Sequence, residues 1–103
     1  MEKIKVITIC GSMKFSKEMM KIAAGLELKE GCAVIQCVYN ADSEPFDGLD
    51  GEMLDRIHRK KIDISDAIYI VNVGGYIGES TRKEIEYAES LRKEILSLEP
   101  IKH

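Results

Sequence analysis

The feature that most constrains this chain is a regular alternation of β-like runs with helix-like segments. The β-like runs, rich in β-branched and apolar residues, are 3–10, 32–38, 66–73 and 94–98. The segments between them, with apolar residues at helical spacing, are 16–30, 52–63 and 80–92. A β-α-β-α-β-α-β order predicts a parallel sheet with right-handed crossovers. We expect a small doubly wound α/β fold, flavodoxin-like or Rossmann-like, with about four strands in the order 2-1-3-4 and helices on both faces.

Length and charge exclude several classes of protein. A chain of 103 residues predicts a single domain, 1–103. The net charge of −3 argues against a nucleic acid polymer as partner, because such a partner needs a concentrated basic patch. No apolar run approaches a membrane span, and the N-terminus is predicted to begin a strand rather than a signal peptide. We therefore expect a cytoplasmic protein that does not bind membranes.

Cysteine usage bears on metals and on the redox compartment. The three cysteines are Cys10, Cys32 and Cys37, an odd number embedded in strand-like runs. They are interpreted as reduced core thiols rather than as a disulfide or zinc framework. Since the sequence has no CxxC motif and no His/Cys cluster, we expect no metal and no cofactor.

Two glycine turns follow the first and third predicted strands. One is Gly11-Ser12, and the other extends from Gly74 to Gly78. In the order 2-1-3-4 these two strands are neighbours at the point where the strand order reverses. Ligands of open parallel sheets bind there, at the carboxyl ends of the strands. The sequence therefore predicts that both turns line one crevice.

Several residues of these turns are candidates for binding an anionic or sugar-like ligand. Lys14 can hold a phosphate or carboxylate near the backbone amides of Gly11, Ser12 and Met13, or it can be an exposed lysine at a helix start. Gly75 and Gly78 allow close approach of a ligand to the backbone. Ser12, Ser80 and Thr81 can donate to phosphate or sugar hydroxyls, or can cap helices. Capping is the favoured role for Thr81.

Glu84 is the candidate for chemistry. It shares a helical stripe with Tyr87, Ala88 and Leu91, so it is expected to point inward just after the second glycine turn. The helix N-terminus favours its ionised form, which suits a nucleophile. The alternative is purely structural, because Glu84 lies three residues after Thr81 and can be the acid of a capping box.

The chain resembles the nucleoside 2-deoxyribosyltransferase superfamily, which includes the 2′-deoxynucleoside 5′-monophosphate N-hydrolases. The resemblance rests on Ile-Cys-Gly-Ser-Met-Lys at 9–14, on Ser-Asp-Ala at 65–67, and on Ser-Thr-Arg-Lys-Glu-Ile-Glu-Tyr-Ala at 80–88. It implies cleavage or transfer at an N-glycosidic bond, with Glu84 attacking the anomeric carbon as in retaining glycosidases. It also implies that the 9–14 segment, including Cys10, contacts the sugar or 5′-phosphate.

The chain departs from the family pattern at the residues that support the nucleophile. Thr8 is found where the family has a tyrosine, His58 where an acid precedes the third strand, and Gly78 where an aspartate or serine is common. One interpretation is a divergent enzyme in which Asp63 and Glu79 act as substitute acids and His58 lies beside the substrate. The other is a sensor or accessory module that binds nucleotides without cleaving them.

The expected partner in either case is a nucleoside or nucleotide. The family resemblance and the exposed edges of a four-stranded sheet also predict a homo-oligomer, most simply a homodimer. A flavodoxin-type oxidoreductase is a weaker third possibility, since the chain has no phosphate loop of that type and no tryptophan to stack on a flavin.

Overall fold

The protein is described here from a computed structural model, which covers residues 3–39 and 48–102. The strands are β1 (Val6–Cys10), β2 (Ala33–Ile35), β3 (Ala67–Ile70) and β4 (Glu94–Ser97). The helices are α1 (Ser16–Glu30), α2 (Gly48–Asp63) and α3 (Glu79–Ser90), and short 3-10 turns occupy Met13–Phe15 and Val73–Gly75.

The sheet is fully parallel among the described residues, and its strand order is β2-β1-β3-β4. Ile7 of β1 pairs with Val34 of β2 on one side and with Ala67 of β3 on the other. The predicted α/β class, strand order and alternation are therefore confirmed. The order reverses between β1 and β3, so the carboxyl ends of these two strands frame the expected crevice.

The core has two layers because alternate residues of each strand point to opposite faces of the sheet. On one face, residues such as Ile7, Ile9 and Val71 pack against Met19 and other residues of α1. On the opposite face, the buried residues come from the strands and from α2 and α3: Cys10, Ile62, Ile68, Ile70, Ile85 and Ala88. Helices therefore cover both faces, as predicted.

The observed boundaries of helices and strands agree best with the predicted ones where the sequence carries a strong local signal. Helix α1 has its predicted limits, and Gly31 ends it in the left-handed conformation, with φ of 69°. This conformation is accessible to glycine at little cost. The strands are shorter than predicted, since β2 contains only Ala33–Ile35. Helix α2 begins at Gly48, earlier than predicted, and the rest of the predicted 39–51 loop, residues 40–47, lies outside the described residues.

The inner face of α2 is rotated relative to the predicted face. The sequence pattern favours an inner face made of Met53, Leu54, Ile57 and Lys61, but Met53 and Ile57 are 54% and 42% exposed. The residues that are buried are His58 and Ile62. Apolar periodicity is misleading here because one inward position carries a histidine, while Leu54 and Ile57 line an open cavity.

The start of α3 also differs from prediction. The helix begins at Glu79 with Gly78 as its N-cap, so Thr81 is the third helical residue and is 3% exposed. A capping box needs the hydroxyl residue at the N-cap and the acid at the third position. The predicted capping role of Thr81 is therefore wrong, and Glu84 lies beyond the reach of this motif, one turn further into the helix.

The C-terminal segment is anchored to the sheet. The Asn72 side chain, which is fully buried, donates to the Glu99 carbonyl and accepts from the Glu99 amide, both at 2.9 Å. Ile101 packs against the core layer that contains Ile85. Within residues 3–39 and 48–102, the model contains no helix with the length and apolar character needed to cross a membrane.

Candidate functional site

A cavity of about 490 Å³ opens at the carboxyl ends of β1 and β3, at the predicted position. Gly11, Ser12 and Met13 from the first turn form one part of its lining. The start of α3 forms another, and α2 together with Cys37 and Val38 closes the remaining side. The site is thus built at the point where the strand order reverses, by elements that come from four separate parts of the chain.

The lining of the cavity combines apolar and polar side chains. Met13, Val38, Leu54 and Ile57 are its apolar residues, and three of them are more than two-fifths exposed. Its polar residues include His58, Lys61, Ser80 and Glu84. Apolar surface with a few convergent polar groups is the usual architecture of a small-molecule site.

Gly11 brings the backbone close to this cavity. A Cβ atom at this position would lie 3.2 Å from the Val71 carbonyl oxygen and 3.4 Å from the Met19 sulfur. The contact with the carbonyl oxygen is tighter than nine in ten real Cβ contacts, whereas that with the sulfur is ordinary van der Waals contact. A side chain here therefore requires the backbone at Val71 to shift by a few tenths of an ångström. The absence of a side chain also leaves the turn accessible to a ligand.

Glu84 points into the cavity, with its side chain about 20% exposed. Burial raises its pKa to about 7, an effect that the Cys10 thiol partly offsets by hydrogen bonding and that the negative charge of Asp55 reinforces. At neutral pH roughly half of the Glu84 side chains are ionised. Perturbed carboxylates of this kind, located in a cleft, mark candidate functional sites.

His58 and Cys10 lie directly beneath Glu84. The Cys10 sulfur is 3.3 Å from Nε2 of His58, and that nitrogen is 3.7 Å from the Glu84 carboxylate. Burial, together with the charge of Lys61, lowers the pKa of His58 to about 4. The imidazole is therefore neutral at pH 7, and its contact with Glu84 is not an ion pair.

Cysteine-based nucleophilic catalysis is disfavoured by the position of Cys10. Its side chain is 1% exposed, and burial raises the pKa of the thiol well above its ordinary value. A nucleophilic cysteine needs a lowered pKa and access to substrate. Cys10 thus underlies the site without facing the ligand, so its predicted direct contact with substrate is not seen.

The structure brings together most of the residues predicted for the site. The predicted residues that line the cavity are Gly11, Ser12, Met13, His58, Gly78, Glu79, Ser80, Thr81 and Glu84. Glu79 lies on an exposed part of this lining, and its carboxylate is 3.8 Å from the Lys83 ammonium. Thr81 is nearly inaccessible, which limits its contact with any ligand.

Three predicted residues lie elsewhere. The Lys14 ammonium is placed over the Tyr76 ring, 3.3 Å from its centroid, and points away from the cavity. Gly75 lines a different cavity beside the C-terminal segment. Asp63, at the end of α2, accepts a hydrogen bond from the Tyr87 hydroxyl on the protein surface. The predicted catalytic role of Asp63 is thus not supported by its position, since Asp63 is exposed and does not line the cavity.

Several lining residues were not predicted from the sequence. Lys61 lines the cavity and donates to the Gln36 carbonyl at 2.7 Å, which ties α2 to the end of β2. Asp55 and Leu54 lie one helical turn before His58 on the same helix. The sequence does contain a signal for these two residues. They lie three and four positions before His58, and residues at that spacing share a helix face.

Comparisons with known proteins support the fold alone. No family model matches the chain, and no curated protein matches it. A crystal structure described as a conserved protein from Enterococcus faecalis V583 is similar, with a TM-score of 0.64 and 14% sequence identity. The match covers 92% of this chain and 63% of that protein, so the present chain spans less than two thirds of its length.

Proposed function

We propose that this protein cleaves or transfers the N-glycosidic bond of a (deoxy)nucleoside or nucleoside 5′-monophosphate, with the Glu84 carboxylate as nucleophile. The observation that carries the proposal is the position of Glu84. Its carboxylate points into a cavity of about 490 Å³ at the carboxyl edge of the sheet, between the two glycine turns. The sequence resemblance of residues 9–14 and 80–88 to the deoxyribosyltransferase superfamily supports the same chemistry.

The cavity suits a nucleoside because its lining offers both apolar surface and polar groups. A nucleobase is flat and largely apolar on its faces, so it fits against the apolar residues Met13, Leu54 and Ile57. The sugar then lies towards Glu84, with Ser12 and Ser80 available to donate to its hydroxyls or to a 5′-phosphate. Lys61 supplies a positive charge on the same lining.

The reaction follows from this placement. The ionised Glu84 oxygen bonds to the anomeric carbon as the bond from that carbon to the base nitrogen breaks, and the base leaves with the electron pair and takes up a proton. Water or a second base then displaces the glutamate ester, which restores the carboxylate. A partly desolvated carboxylate is a stronger nucleophile than a fully hydrated one, which is consistent with the raised pKa of Glu84.

A panel assay tests this proposal. Purified protein is incubated in chelator-containing buffer with 2′-deoxynucleosides and their 5′-monophosphates, and free base is measured by chromatography. We expect base release from at least one substrate, loss of release in Glu84→Gln, and retention in Glu86→Gln. Glu86 is a matched control because it is an exposed glutamate on the same helix, outside this cavity.

The outcome that contradicts the proposal is equally defined. If no substrate yields free base, or if Glu84→Gln releases base as fast as the unaltered protein, Glu84 is not the nucleophile.

The second candidate is a nucleotide-binding module without turnover. The observation that favours it is the absence of Asp63 from the cavity, which leaves Glu84 without one of the two acids expected to support it. This function predicts saturable binding of nucleotides, measured by a shift in melting temperature, with no release of base. Binding should then be weakened by Ser12→Val, which adds bulk to the first turn.

Two accompanying expectations belong to the same proposal. We propose that the protein acts as a homodimer, since β2 and β4 are edge strands of the described sheet. We also propose a cytoplasmic location, where nucleotide substrates and reduced cysteines are found together. Sedimentation equilibrium of the purified chain tests the first, and a single monomeric species across micromolar concentrations would contradict it.

A further inference from the structure

Three side chains of different elements converge at the base of the cavity. Cys10 comes from the end of β1, His58 from α2 and Glu84 from α3. Their sulfur, imidazole nitrogen and carboxylate oxygen all lie within 4.8 Å of one another. No spacing in the sequence indicates this cluster. Cys10 and His58 are 48 positions apart, and only the crossovers of the sheet bring the three residues together.

Ordinary hydrogen bonding does not account well for the cluster. The Cys10 thiol has one proton, which it can donate to His58 across 3.3 Å or to the Glu84 carboxylate, but not to both. The nitrogen-to-carboxylate distance of 3.7 Å is beyond hydrogen-bonding range. Three ionisable groups are nevertheless removed from water together. Burial disfavours the charged form of each, and no full positive charge lies among the three side chains to compensate.

We propose that Cys10, His58 and Glu84 form a binding site for a zinc ion, with the fourth coordination position open to the cavity. Zinc prefers this combination of thiolate, imidazole and carboxylate, whereas magnesium and calcium prefer oxygen ligands alone. Three protein ligands and one open position are the usual arrangement of zinc sites that exchange ligands with solvent or substrate. The open position faces the cavity because two of the three ligands, His58 and Glu84, line it.

The spacing of the ligand atoms is close to that of a zinc site. Zinc is bound at about 2.3 Å from sulfur, about 2.0 Å from imidazole nitrogen and about 2.1 Å from carboxylate oxygen in tetrahedral sites. Ligand atoms around such an ion are therefore about 3.3 to 3.6 Å apart. The sulfur and nitrogen are already 3.3 Å apart, and the carboxylate is 3.7 Å from the nitrogen. The sulfur and the carboxylate oxygen lie within 4.8 Å of each other, and a rotation of the Glu84 side chain is expected to bring them to the distance that zinc requires.

The charges of the bound site also balance. On binding, the Cys10 thiol loses its proton to solvent and the sulfur lone pair bonds to the ion, while neutral His58 donates a nitrogen lone pair. Any protonated fraction of Glu84 loses its proton in the same step. The two positive charges of zinc then meet one thiolate and one carboxylate, so the buried site becomes neutral.

Zinc binding would use the same carboxylate that the proposed reaction needs. Metal and glycosyl chemistry at Glu84 therefore exclude one another, and zinc is expected to inhibit base release. The existence of the site itself does not depend on the proposed reaction, since it follows from the three ligand atoms alone.

Cobalt titration tests the site directly. Reduced, chelator-treated full-length protein is titrated with Co²⁺, which adopts zinc geometry and reports it by absorption. We expect one ion per chain, a thiolate-to-cobalt charge-transfer band in the near ultraviolet, visible bands typical of tetrahedral cobalt, and displacement of all of them by Zn²⁺. Cys10→Ser should abolish the charge-transfer band, and Glu84→Gln should weaken Co²⁺ binding by at least about 100-fold, since even outer-shell partners contribute about 10- to 100-fold.

Matched cysteine variants identify the thiolate. Cys32→Ser, at the start of the β2 segment and outside the cavity, should leave the spectrum unchanged. Cys37→Ser should also retain it, although Cys37 lines the cavity. A band lost in Cys37→Ser and kept in Cys10→Ser would overturn the assignment.

Other outcomes overturn the proposal as a whole. Absence of the charge-transfer band in the unaltered protein, or tight Co²⁺ binding that Glu84→Gln does not weaken, would show that this cluster is not a metal site. Circular dichroism confirms that each variant is folded. If Cys10→Ser does not fold, His58→Gln and Glu84→Gln decide the question, because both should lose tetrahedral cobalt binding. A negative result in the cobalt titration would not change the outcome of the base-release assay, which is run in chelator. The two proposals are therefore tested separately.

Discussion

Two polar clusters lie on the same face of β1, and they are built in opposite ways. Thr8 and Cys10 are two residues apart, so both side chains point towards the layer of α2 and α3. The hydroxyls of Thr8 and Ser65 lie 2.5 Å from each other, and they lie 3.0 and 2.7 Å from the Lys61 carbonyl oxygen near the end of α2. The Cys10 cluster, with His58 and Glu84, has contacts of 3.3 and 3.7 Å.

The difference separates a structural cluster from a functional one. Two hydroxyls can satisfy each other and a helix-terminal carbonyl without any charge, so the Thr8 cluster stabilises the fold by completing hydrogen bonds at the end of α2. The Cys10 cluster contains three ionisable groups whose protonation is shifted by burial, and such groups cost stability in the absence of a ligand. Sites of this kind are usual where a protein binds or reacts.

The largest expected effect is on the pH dependence of base release. If the ionised carboxylate of Glu84 is the nucleophile, kcat/KM in chelator should rise with pH and reach half its maximum near the pKa of about 7. Between pH 5 and pH 8 this amounts to roughly a hundredfold increase. Steady-state rates across that range provide the measurement. A rate that falls above pH 7 would instead assign Glu84 as a general acid.

The next effect concerns stability. Because burial raises the pKa of Glu84 from 4.5 to about 7, the folded state holds this proton more tightly than the unfolded state. The unaltered protein therefore loses stability as the pH rises from 4.5 through 7. Glu84→Gln removes this cost, so its free energy of unfolding at pH 8 should exceed that of the unaltered protein by roughly 1 to 3 kcal/mol. Urea unfolding at pH 8 and at pH 4.5 measures the difference, which should disappear at the lower value.

A contribution of opposite sign comes from His58, and it must be separated from that of Glu84. Its pKa is lowered from 6.5 to about 4, so it costs stability as the pH falls through that interval. This contribution is present in both proteins compared above, so the difference between them still reports Glu84. If the free energies of unfolding of Glu84→Gln and of the unaltered protein differ by the same amount at both pH values, Glu84 does not lie in a desolvated site.

A smaller change in stability is expected in the Thr8 cluster, and its direction is opposite to that of Glu84→Gln. Ser65→Ala removes a buried hydroxyl that bonds to the Lys61 carbonyl, and it should lower the free energy of unfolding by about 1 to 2 kcal/mol at every pH. Ser90→Ala is the matched control, since Ser90 is exposed and donates to the Tyr87 carbonyl within one helix end. Its effect should stay within about 0.5 kcal/mol. Equal effects of the two substitutions would remove the distinction between the clusters.

The smallest expected effect is that of Asp63→Asn. Asp63 is exposed and bonds to the Tyr87 hydroxyl outside the cavity, so the substitution should change the free energy of unfolding by less than about 0.5 kcal/mol. It should also leave base release unchanged. Loss of activity in this variant would restore the role of substitute acid that the divergent-enzyme interpretation gives to Asp63.

Local signals in the sequence were sufficient for the elements and for their order. Apolar periodicity and Gly31 predict α1 with its observed limits, and the β-α alternation predicts the parallel sheet with β1 between β2 and β3. The crevice between the two glycine turns follows from that order. These features are predictable because they depend on residues near one another in the chain, or on crossover rules that all parallel sheets obey.

The composition of the site was decided only by tertiary packing. The N-cap of helix α3, Gly78, lies three residues before the predicted cap, so Thr81 is buried and Glu84 points into the cavity. Helix α2 is rotated so that His58 points inward and Asp63 does not. A rotation or shift of one helix changes which side chains meet, and its energy comes from contacts between distant segments. The sequence by itself determined the sheet, its order and the edge where the site lies, whereas the tertiary structure alone placed Cys10, His58 and Glu84 together.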